Sequence, residues 1–211
     1  MNNVSGEAEK LVTSEEWNKK WSGIFEHYQN DTRHAYYINA MRHRKEKKIL
    51  EIAAGSFRDI AFLNRSGLDG YGMDFSTDAV TLAQCYYPKI ADRFTKMDAF
   101  KLNYPDNHFD LSYHNGFWGL FDDDSIRKLA IEQARVTRGR MIATVHNAHN
   151  RDFKYYFEKK VTTDSLFNIR FFEVDEIFKL MSHVCTKVTV IPVGKAKKYH
   201  EDWLIKKELS H

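Results

Sequence analysis

The sequence predicts an α/β fold in which a mostly parallel sheet carries helices on both faces. From about residue 48 onward, short apolar runs alternate with helix-like stretches, and this alternation is typical of parallel strands connected by helices. The runs predicted to be strands are 48–53, 69–75, 92–98, 108–114 and 139–146. The predicted helices between and after them are 58–66, 77–86, 122–137 and 173–183.

Two helices are predicted before the first strand. The first covers about 7–29, because its large apolar residues recur at the spacing of one helix face. These residues are Trp17, Trp21, Ile24, Phe25 and Tyr28. The second starts after Asp31, a candidate N-cap, and ends in the charged run 41–48. The aromatic stripe fits either ordinary core packing or a lid over a site.

The end of the chain has a different pattern. The runs "CTKVTVIPV" and "YHEDWLIKKEL" are rich in strand-forming residues and are separated only by "GKAKK". Two such runs joined by a short polar loop predict a hairpin. The sheet is therefore expected to close with a C-terminal antiparallel hairpin.

Length and composition favour one domain over 1–211, with a helical cap at 1–46 and a core at 47–211. The chain has 211 residues and is 43% apolar, which is enough for one substantial core. Its formal net charge of +3 is too small to indicate a nucleic-acid surface. Two cysteines, Cys85 and Cys185, form no disulfide framework. Without a secretory signal or a long apolar run, we expect a soluble, cytoplasmic protein with no membrane partner.

Polar residues stand where the predicted strands end, which is the edge at which open α/β sheets bind ligands. Asp74 follows Gly55 by 19 residues, the separation at which an acidic residue on the second strand binds a ribose held over the first turn. Alternatively, Asp74 begins a helix-capping turn with Ser76 or Thr77 as the cap.

Three stretches resemble the class I S-adenosylmethionine-dependent methyltransferases. They are "ILEIAAGSFRDIAFLNRSGLDGYGMDFSTDAV", "MDAFKLNYPDNHFDLSYHNGFWGLF" and "ARVTRGRMIATVHN", and the similarity spans about 48–192. The resemblance implies a Rossmann-like fold, S-adenosylmethionine as cofactor, and methyl transfer to an oxygen or nitrogen of a small-molecule acceptor.

The family pattern implies a role for each strand end. The cofactor-binding residues that it implies are Glu51 and the turn Ala53, Gly55 and Ser56 near the methionine part, Asp74 on the ribose, Phe75 on the adenine face, Asp98 and Ala99 at the adenine edge, and His114 and Asn115 under the sulfonium.

The chain departs from the family at two positions of the first turn, where Ala53 and Phe57 replace glycines. Ala53 is expected to be tolerated if its φ stays negative. The Phe57 side chain is expected to exclude a dinucleotide pyrophosphate from the helix start, which favours a ligand without phosphate.

His114 and His146 are the candidate catalytic residues, since each ends a strand near the expected reaction centre and histidine titrates in the useful range. Both could instead be hydrogen-bonded loop residues. His146 and His149 lie in "HNAHN", but that segment lacks the carboxylates of a hard-cation site, so no metal is expected.

The acceptor pocket is expected between strand five and the last helix, with Tyr155, Tyr156, Arg170 and Phe171 as candidate lining residues. The strand-four sequence "YHNG" does not match the "NPPY" or "DPPY" that the family associates with planar amino groups. Basic runs at 42–48 and 195–198 leave RNA methylation as an alternative, although a nucleic-acid partner is not favoured.

Two further possibilities concern catalysis and assembly. The lost glycines at 53 and 57 would also suit a non-catalytic cofactor-binding module of the same fold. A homodimer could form through the aromatic helix or through the edge of the terminal hairpin.

Overall fold

A computed structural model of the chain describes residues 13–30 and 32–192. Its centre is a five-stranded sheet in the order β3-β2-β1-β4-β5, with every neighbouring pair parallel. The strands are β1 (Lys48–Ile52), β2 (Asp69–Asp74), β3 (Phe94–Lys96), β4 (Phe109–Asn115) and β5 (Thr137–Thr144). The predicted α/β class is confirmed, and each predicted strand overlaps an observed one.

Helices connect the strands and cover the sheet. They are α1 (Ser14–Ile24), α2 (Arg33–Met41), α3 (Arg58–Arg65), α4 (Thr77–Tyr86), α5 (Asp123–Val136), α6 (Arg151–Val161) and α7 (Val174–Met181). The four helices predicted within the sheet region are confirmed to within about two residues. Helix α6 was not predicted, because its segment was considered only as a candidate part of the acceptor pocket.

The N-terminal helices differ in detail from the prediction. Thr13 caps α1 in a capping box with Glu16. The helix stops at Ile24, and the chain tightens into a 3₁₀ segment at Glu26–Asn30, so the predicted end at residue 29 is wrong. Two predictions lie outside the described residues: the start of the first helix at about residue 7, and Asp31 as the N-cap of the second helix.

Side chains alternate between the two faces of the sheet, and each face has its own core. Ile49, Leu111 and Tyr113 pack in one core with α2, α3 and α4. Leu50 and Ile52 pack in the other with α5 and α7. The predicted covering of both faces by helices is therefore confirmed, and the arrangement is Rossmann-like.

The strand order reverses between β1 and β4, which places the topological switch point at their carboxyl ends. The turn after β1, the end of β2 and the end of β4 meet there. This edge of the sheet is where the fold positions a ligand.

The predicted C-terminal hairpin is not shown. Its first run is described only from Cys185 to Pro192, and that part contains no strand. The remainder of the hairpin lies outside the described residues. None of the helices in the described ranges is long and apolar enough to cross a membrane.

Candidate active site

The turn after β1 has left-handed backbone at alternate residues. The φ angle is +53° at Ala53, +54° at Gly55 and +55° at Phe57. A side chain in this region costs about 1 kcal/mol, because Cβ approaches the following carbonyl oxygen. The condition under which Ala53 was expected to be tolerated, a negative φ, is therefore not met. The chain retains the backbone of a glycine-rich turn although two of the glycines are absent.

Phe57 faces the core instead of the site. Its ring is fully buried, lies 4.8 Å from the Phe94 ring centre, and occupies the space beside Gly72, where an added Cβ would come within 2.7 Å of it. The prediction that this side chain excludes a pyrophosphate is therefore wrong. The left-handed backbone at Phe57 is unfavourable, but burial of its apolar ring offsets this cost and stabilises the turn.

Asp74 ties the end of β2 to the turn after β1. Its carboxylate accepts hydrogen bonds from the backbone N–H groups of Gly55 and Ser76, each at 2.9 Å. The helix cap is Ser76, whose hydroxyl accepts from the Ala79 N–H at 3.1 Å. Asp74 is only 4% exposed, and burial raises its pKa to about 6. The two oxygens still have lone pairs for a further donor.

A second buried carboxylate, Glu51, belongs to a cluster of charged residues behind the turn. Its Oε2 accepts from the Ile60 N–H at 3.0 Å, in the first turn of α3. Burial and the nearby Asp59 charge hold the pKa of Glu51 well above its usual range. Asp59 is itself anchored by the Ala35 N–H at 3.0 Å and by Arg58. Sequence analysis missed Arg58 and Asp59, whose signal was their position in the first turn of α3.

A narrow slot of about 50 Å³ opens between the ends of β2 and β3. Phe75, Met97 and Phe117 form apolar walls, and the polar groups are at Asp98 and Ala99. The Asp98 carboxylate accepts from the Phe100 N–H at 2.9 Å. Within the described part of the chain, no group accepts a hydrogen bond from the Ala99 N–H. A carboxylate beside a donor N–H, between apolar walls, fits the edge of an adenine ring.

A larger cavity of about 510 Å³ adjoins the slot, within the usual range for ligand sites. The two cavities share Trp17, Ala53, Phe75, Phe117 and Leu120. Of the residues predicted to bind cofactor, those that line one or both cavities are Glu51, Ala53, Gly55, Ser56, Asp74, Phe75, Asp98, Ala99 and Asn115.

His114 lies apart from both cavities. It is 1% exposed, points to the α5 face of the sheet, and its ring centre lies 4.7 Å from that of Trp118. Burial lowers its pKa to about 3. The next residue, Asn115, does reach the larger cavity, and its Nδ2 donates a hydrogen bond to His34 Nδ1 at 3.0 Å. This position favours a packing role for His114.

His146 lines the larger cavity inside a group of aromatic rings. Its ring centre is 5.4 Å from that of Phe153, 5.3 Å from Phe157 and 5.4 Å from Phe171. Its Nδ1 has no hydrogen-bond partner among the described residues. Burial lowers the pKa of His146 to about 4, so the imidazole is neutral at pH 7.

Helix α1 forms one wall of the larger cavity. The Trp21 indole lies on the turn after β1, so closely that a Cβ at Gly55 would be 2.1 Å from the ring. Lys20 forms an ion pair with Asp164 and stands 4.4 Å from the Phe167 ring centre. Four residues of the aromatic stripe, Trp17, Trp21, Ile24 and Tyr28, line the cavity, whereas Phe25 packs in the core.

The candidate acceptor residues divide into two groups. Tyr156 lines the cavity and Phe171 contacts His146. Tyr155 is 59% exposed on the outer face of α6, and Arg170 pairs with Asp123 and Glu176. Sequence analysis missed Phe153 and Phe157, although their i, i+4 spacing was a readable signal.

The described residues contain no cluster of potential metal ligands, and His149 pairs with Glu173 instead.

Comparisons with known proteins agree with this geometry. A family model described as a methyltransferase domain matches residues 49–139. A solved structure of a S-adenosylmethionine-dependent methyltransferase from Thermotoga maritima, a possible histamine N-methyltransferase, superposes with a TM-score of 0.61 at 18% identity, over 82% of this chain and 80% of that chain.

Two other solved structures are similar in fold. The YcgJ protein of Bacillus subtilis gives a TM-score of 0.57 at 24% identity, covering 72% of this chain and 67% of its own. A geranyl diphosphate methyltransferase, solved in complex with GPP and sinefungin, gives a TM-score of 0.56 at 13% identity, covering 72% of this chain and 57% of its own. No curated protein sequence matches the chain.

Proposed function

We propose that the chain is a class I S-adenosylmethionine-dependent methyltransferase, as its match to a methyltransferase domain over residues 49–139 supports, and that it methylates an oxygen or nitrogen of a small molecule, with His146 as general base. The observation that carries the proposal is the meeting of three sites in adjoining cavities: the Asp98–Ala99 slot, the buried Asp74 carboxylate and the His146 imidazole.

S-adenosylmethionine is the cofactor, and the residues present suit each of its parts. Asp98 and the Ala99 N–H would hold the adenine edge, with Phe75 against the ring. Asp74 would accept hydrogen bonds from the ribose hydroxyls, and Glu51 with the turn at 53–56 would face the methionine end. When bound, the cofactor supplies a methyl group on a positively charged sulfur, which is a strong leaving group.

The protein's own task is alignment and removal of a proton. A rigid cavity holds the acceptor atom in line with the methyl carbon, which replaces a bimolecular encounter by a fixed geometry. His146 is uncharged at neutral pH and can accept a proton as the acceptor atom is methylated. The surrounding phenyl rings exclude water from that imidazole.

The position of the cavities favours a small molecule over RNA. The basic run at 42–48 leads into the amino end of β1, whereas the cavities lie at the carboxyl ends of the strands, on the opposite edge of the sheet. Arg42 and Glu46 in that run bond to each other and to neighbouring residues. The second basic run lies outside the described residues. Two similar structures bear the names of enzymes that act on small molecules.

The test combines binding and turnover. Calorimetry is expected to detect S-adenosylhomocysteine binding to the wild type and to the His146→Gln variant with equal affinity. When cell metabolite extract and S-adenosylmethionine are supplied, His146→Gln is expected to lower product formation by about 10²-fold or more, the usual share of a general base. Tyr155→Phe, an exposed change on α6, is the control. Turnover of His146→Gln at the wild-type rate would contradict the role of His146.

A further inference from the structure

The wall of the larger cavity that faces α1 is built mainly from aromatic rings. Helix α6 has no fully buried residue, yet Phe153 and Phe157 point inward from it, and Phe167 follows in the next segment. Their ring centres are 4.7 Å apart for Phe153 and Phe157, and 5.4 Å apart for Phe157 and Phe167. Trp17 and Trp21 of α1 lie across the cavity. Aromatic rings from two elements suit an aromatic ligand, which can contact them face-on or edge-on.

The charges around the cavity do not favour a cationic acceptor. Its acidic residues Glu51, Asp59 and Asp74 lie behind the strand ends and already accept hydrogen bonds from backbone N–H groups. At the aromatic end the Lys20 ammonium lies 4.4 Å from the Phe167 ring centre and is paired with Asp164. A neutral pair of this kind offers a cationic ligand no net attraction.

One polar group is available at the aromatic end. The His146 ring is enclosed by Phe153, Phe157 and Phe171, and its Nδ1 lacks a partner among the residues that the structure describes. Because Nδ1 is shielded from the cavity, a ligand there can reach only the other ring nitrogen, Nε2. With Nε2 as the acceptor of the neutral imidazole, a hydroxyl donor is the complementary group.

We propose that the methyl acceptor is an uncharged aromatic compound with a hydroxyl group, its ring packed between α6 and α1 and its hydroxyl hydrogen-bonded to His146. This inference rests on the proposed function and specifies its substrate class. In the reaction the hydroxyl oxygen forms a bond to the methyl carbon while the carbon–sulfur bond breaks. The electron pair of the broken bond stays on sulfur, giving a neutral thioether, and the hydroxyl proton passes to the His146 imidazole.

The first experiment compares ligands on the wild-type protein saturated with S-adenosylhomocysteine. Calorimetric titration is expected to show 2-naphthol binding at least tenfold more tightly than decahydro-2-naphthol, its saturated analogue, and than 1-naphthylmethylammonium. Equal affinity for the saturated analogue would overturn the aromatic contact, and tighter binding of the cation would overturn the choice of an uncharged acceptor. Absence of S-adenosylhomocysteine binding would instead count against the proposed function.

The second experiment locates the ring. Phe153→Leu and Phe157→Leu are each expected to weaken 2-naphthol binding at least fivefold while S-adenosylhomocysteine affinity stays within twofold. Tyr155→Leu removes a ring from the outer face of the same helix and is expected to change neither affinity. Unchanged 2-naphthol affinity in both phenylalanine variants would overturn the site, and retained S-adenosylhomocysteine binding shows that each variant is folded.

The third experiment tests the hydrogen bond. In the wild type, 2-naphthol is expected to bind at least fivefold more tightly than 2-methoxynaphthalene, which has no hydroxyl donor. In His146→Phe this preference is expected to disappear, because the ring is kept and the acceptor nitrogen is lost. A preference of the same size in both proteins would overturn the assignment of His146 as the hydroxyl partner.

Discussion

At the scale of single residues, two buried carboxylates decide what the site can bind. Asp74 and Glu51 end neighbouring strands and both have a raised pKa, because burial penalises the charged form. Each is held by backbone N–H groups, so its position is fixed before any ligand arrives. Such preorganisation lowers the cost of binding.

The raised pKa of Asp74 predicts a pH-dependent affinity for cofactor. A ribose hydroxyl donates to the ionised carboxylate, and ionisation is lost as the pH falls through about 6. The dissociation constant of S-adenosylhomocysteine is expected to be constant above pH 7 and to rise about tenfold per pH unit below 6, the slope of one proton. Calorimetry across pH 5–8 measures it.

Asp74→Asn provides the control for this titration. The variant is expected to bind more weakly at pH 7 and to lose the dependence on pH near 6. Any slope that remains belongs to Glu51, whose pKa is raised by burial and by Asp59, against the opposing charge of Arg58. A wild-type affinity that does not change between pH 7 and 5, with the fold intact by circular dichroism, would contradict the prediction.

The backbone at Ala53 is strained by its positive φ, and a single substitution can remove this strain. Since its φ is +53°, Ala53→Gly is expected to raise the free energy of unfolding by about 0.5–1 kcal/mol in urea titration. Ala54→Gly is the matched control. Ala54 is buried and has no positive φ, so the same change there is expected to destabilise by a similar amount. Equal signs for the two variants would show that the backbone at Ala53 is unstrained.

At the scale of elements, α1 is the part of the structure that closes the site. It touches the core mainly through α4 and through the Trp21 indole on the turn at Gly55. The Lys20–Asp164 ion pair joins it to the segment after α6. Because both partners are partly exposed, this pair contributes little, so the indole contact governs the position of α1.

Two glycine substitutions test this contact. Gly55→Ala would place a Cβ 2.1 Å from the Trp21 ring, so α1 is expected to be displaced and trypsin to cleave faster at Lys19 and Lys20. Gly23→Ala, on α1 itself, meets no atom within 4 Å and is expected to slow cleavage, since alanine favours helix by about 1 kcal/mol.

A double variant distinguishes displacement of α1 from unfolding of the whole protein. The Gly55→Ala/Trp21→Ala double variant is expected to cleave no faster than Trp21→Ala alone, because the clash has been removed. If Gly55→Ala cleaves at the wild-type rate, the indole does not hold the helix on this turn.

At the scale of the whole molecule, the two cores on opposite faces of the sheet support one binding edge. The proposed cofactor contacts come from three strands and their connecting turns, so binding is expected to stabilise the entire fold. At 100 times its dissociation constant, S-adenosylhomocysteine is expected to add about 2.7 kcal/mol to the free energy of unfolding. Thermal unfolding followed by circular dichroism measures the corresponding rise in Tm.

The same measurement tests the adenine slot. Asp98→Ala is expected to reduce the Tm rise at a fixed ligand concentration, because the adenine amino group loses its acceptor at a cost of about 1–3 kcal/mol. Asp124→Ala removes an exposed carboxylate from α5 and is expected to keep the full rise. An undiminished rise in Asp98→Ala would exclude this carboxylate from cofactor binding.

Much of the binding edge was predictable because strand ends are local features. Alternating apolar runs located all five strands, and the polar residues that follow β1, β2 and β3 line the observed cavities. The sequence offered His114 and His146 as equivalent catalytic candidates, and no local pattern distinguished between them. Both end predicted strands, but His114 lies within β4 with its ring against Trp118, whereas His146 lies two residues beyond the end of β5 and lines the aromatic cavity.

By itself the sequence determined the α/β class, the order of strands and helices, and the resemblance that implies the cofactor, because hydrophobic period and turn residues act over a few positions. Only the tertiary structure decided that Ala53 and Phe57 adopt glycine-like backbone, that Phe57 faces the core, and that α1 and α6 enclose His146. Those outcomes depend on contacts between segments far apart in the chain, and no local pattern encodes which face of a strand or helix its neighbour will cover.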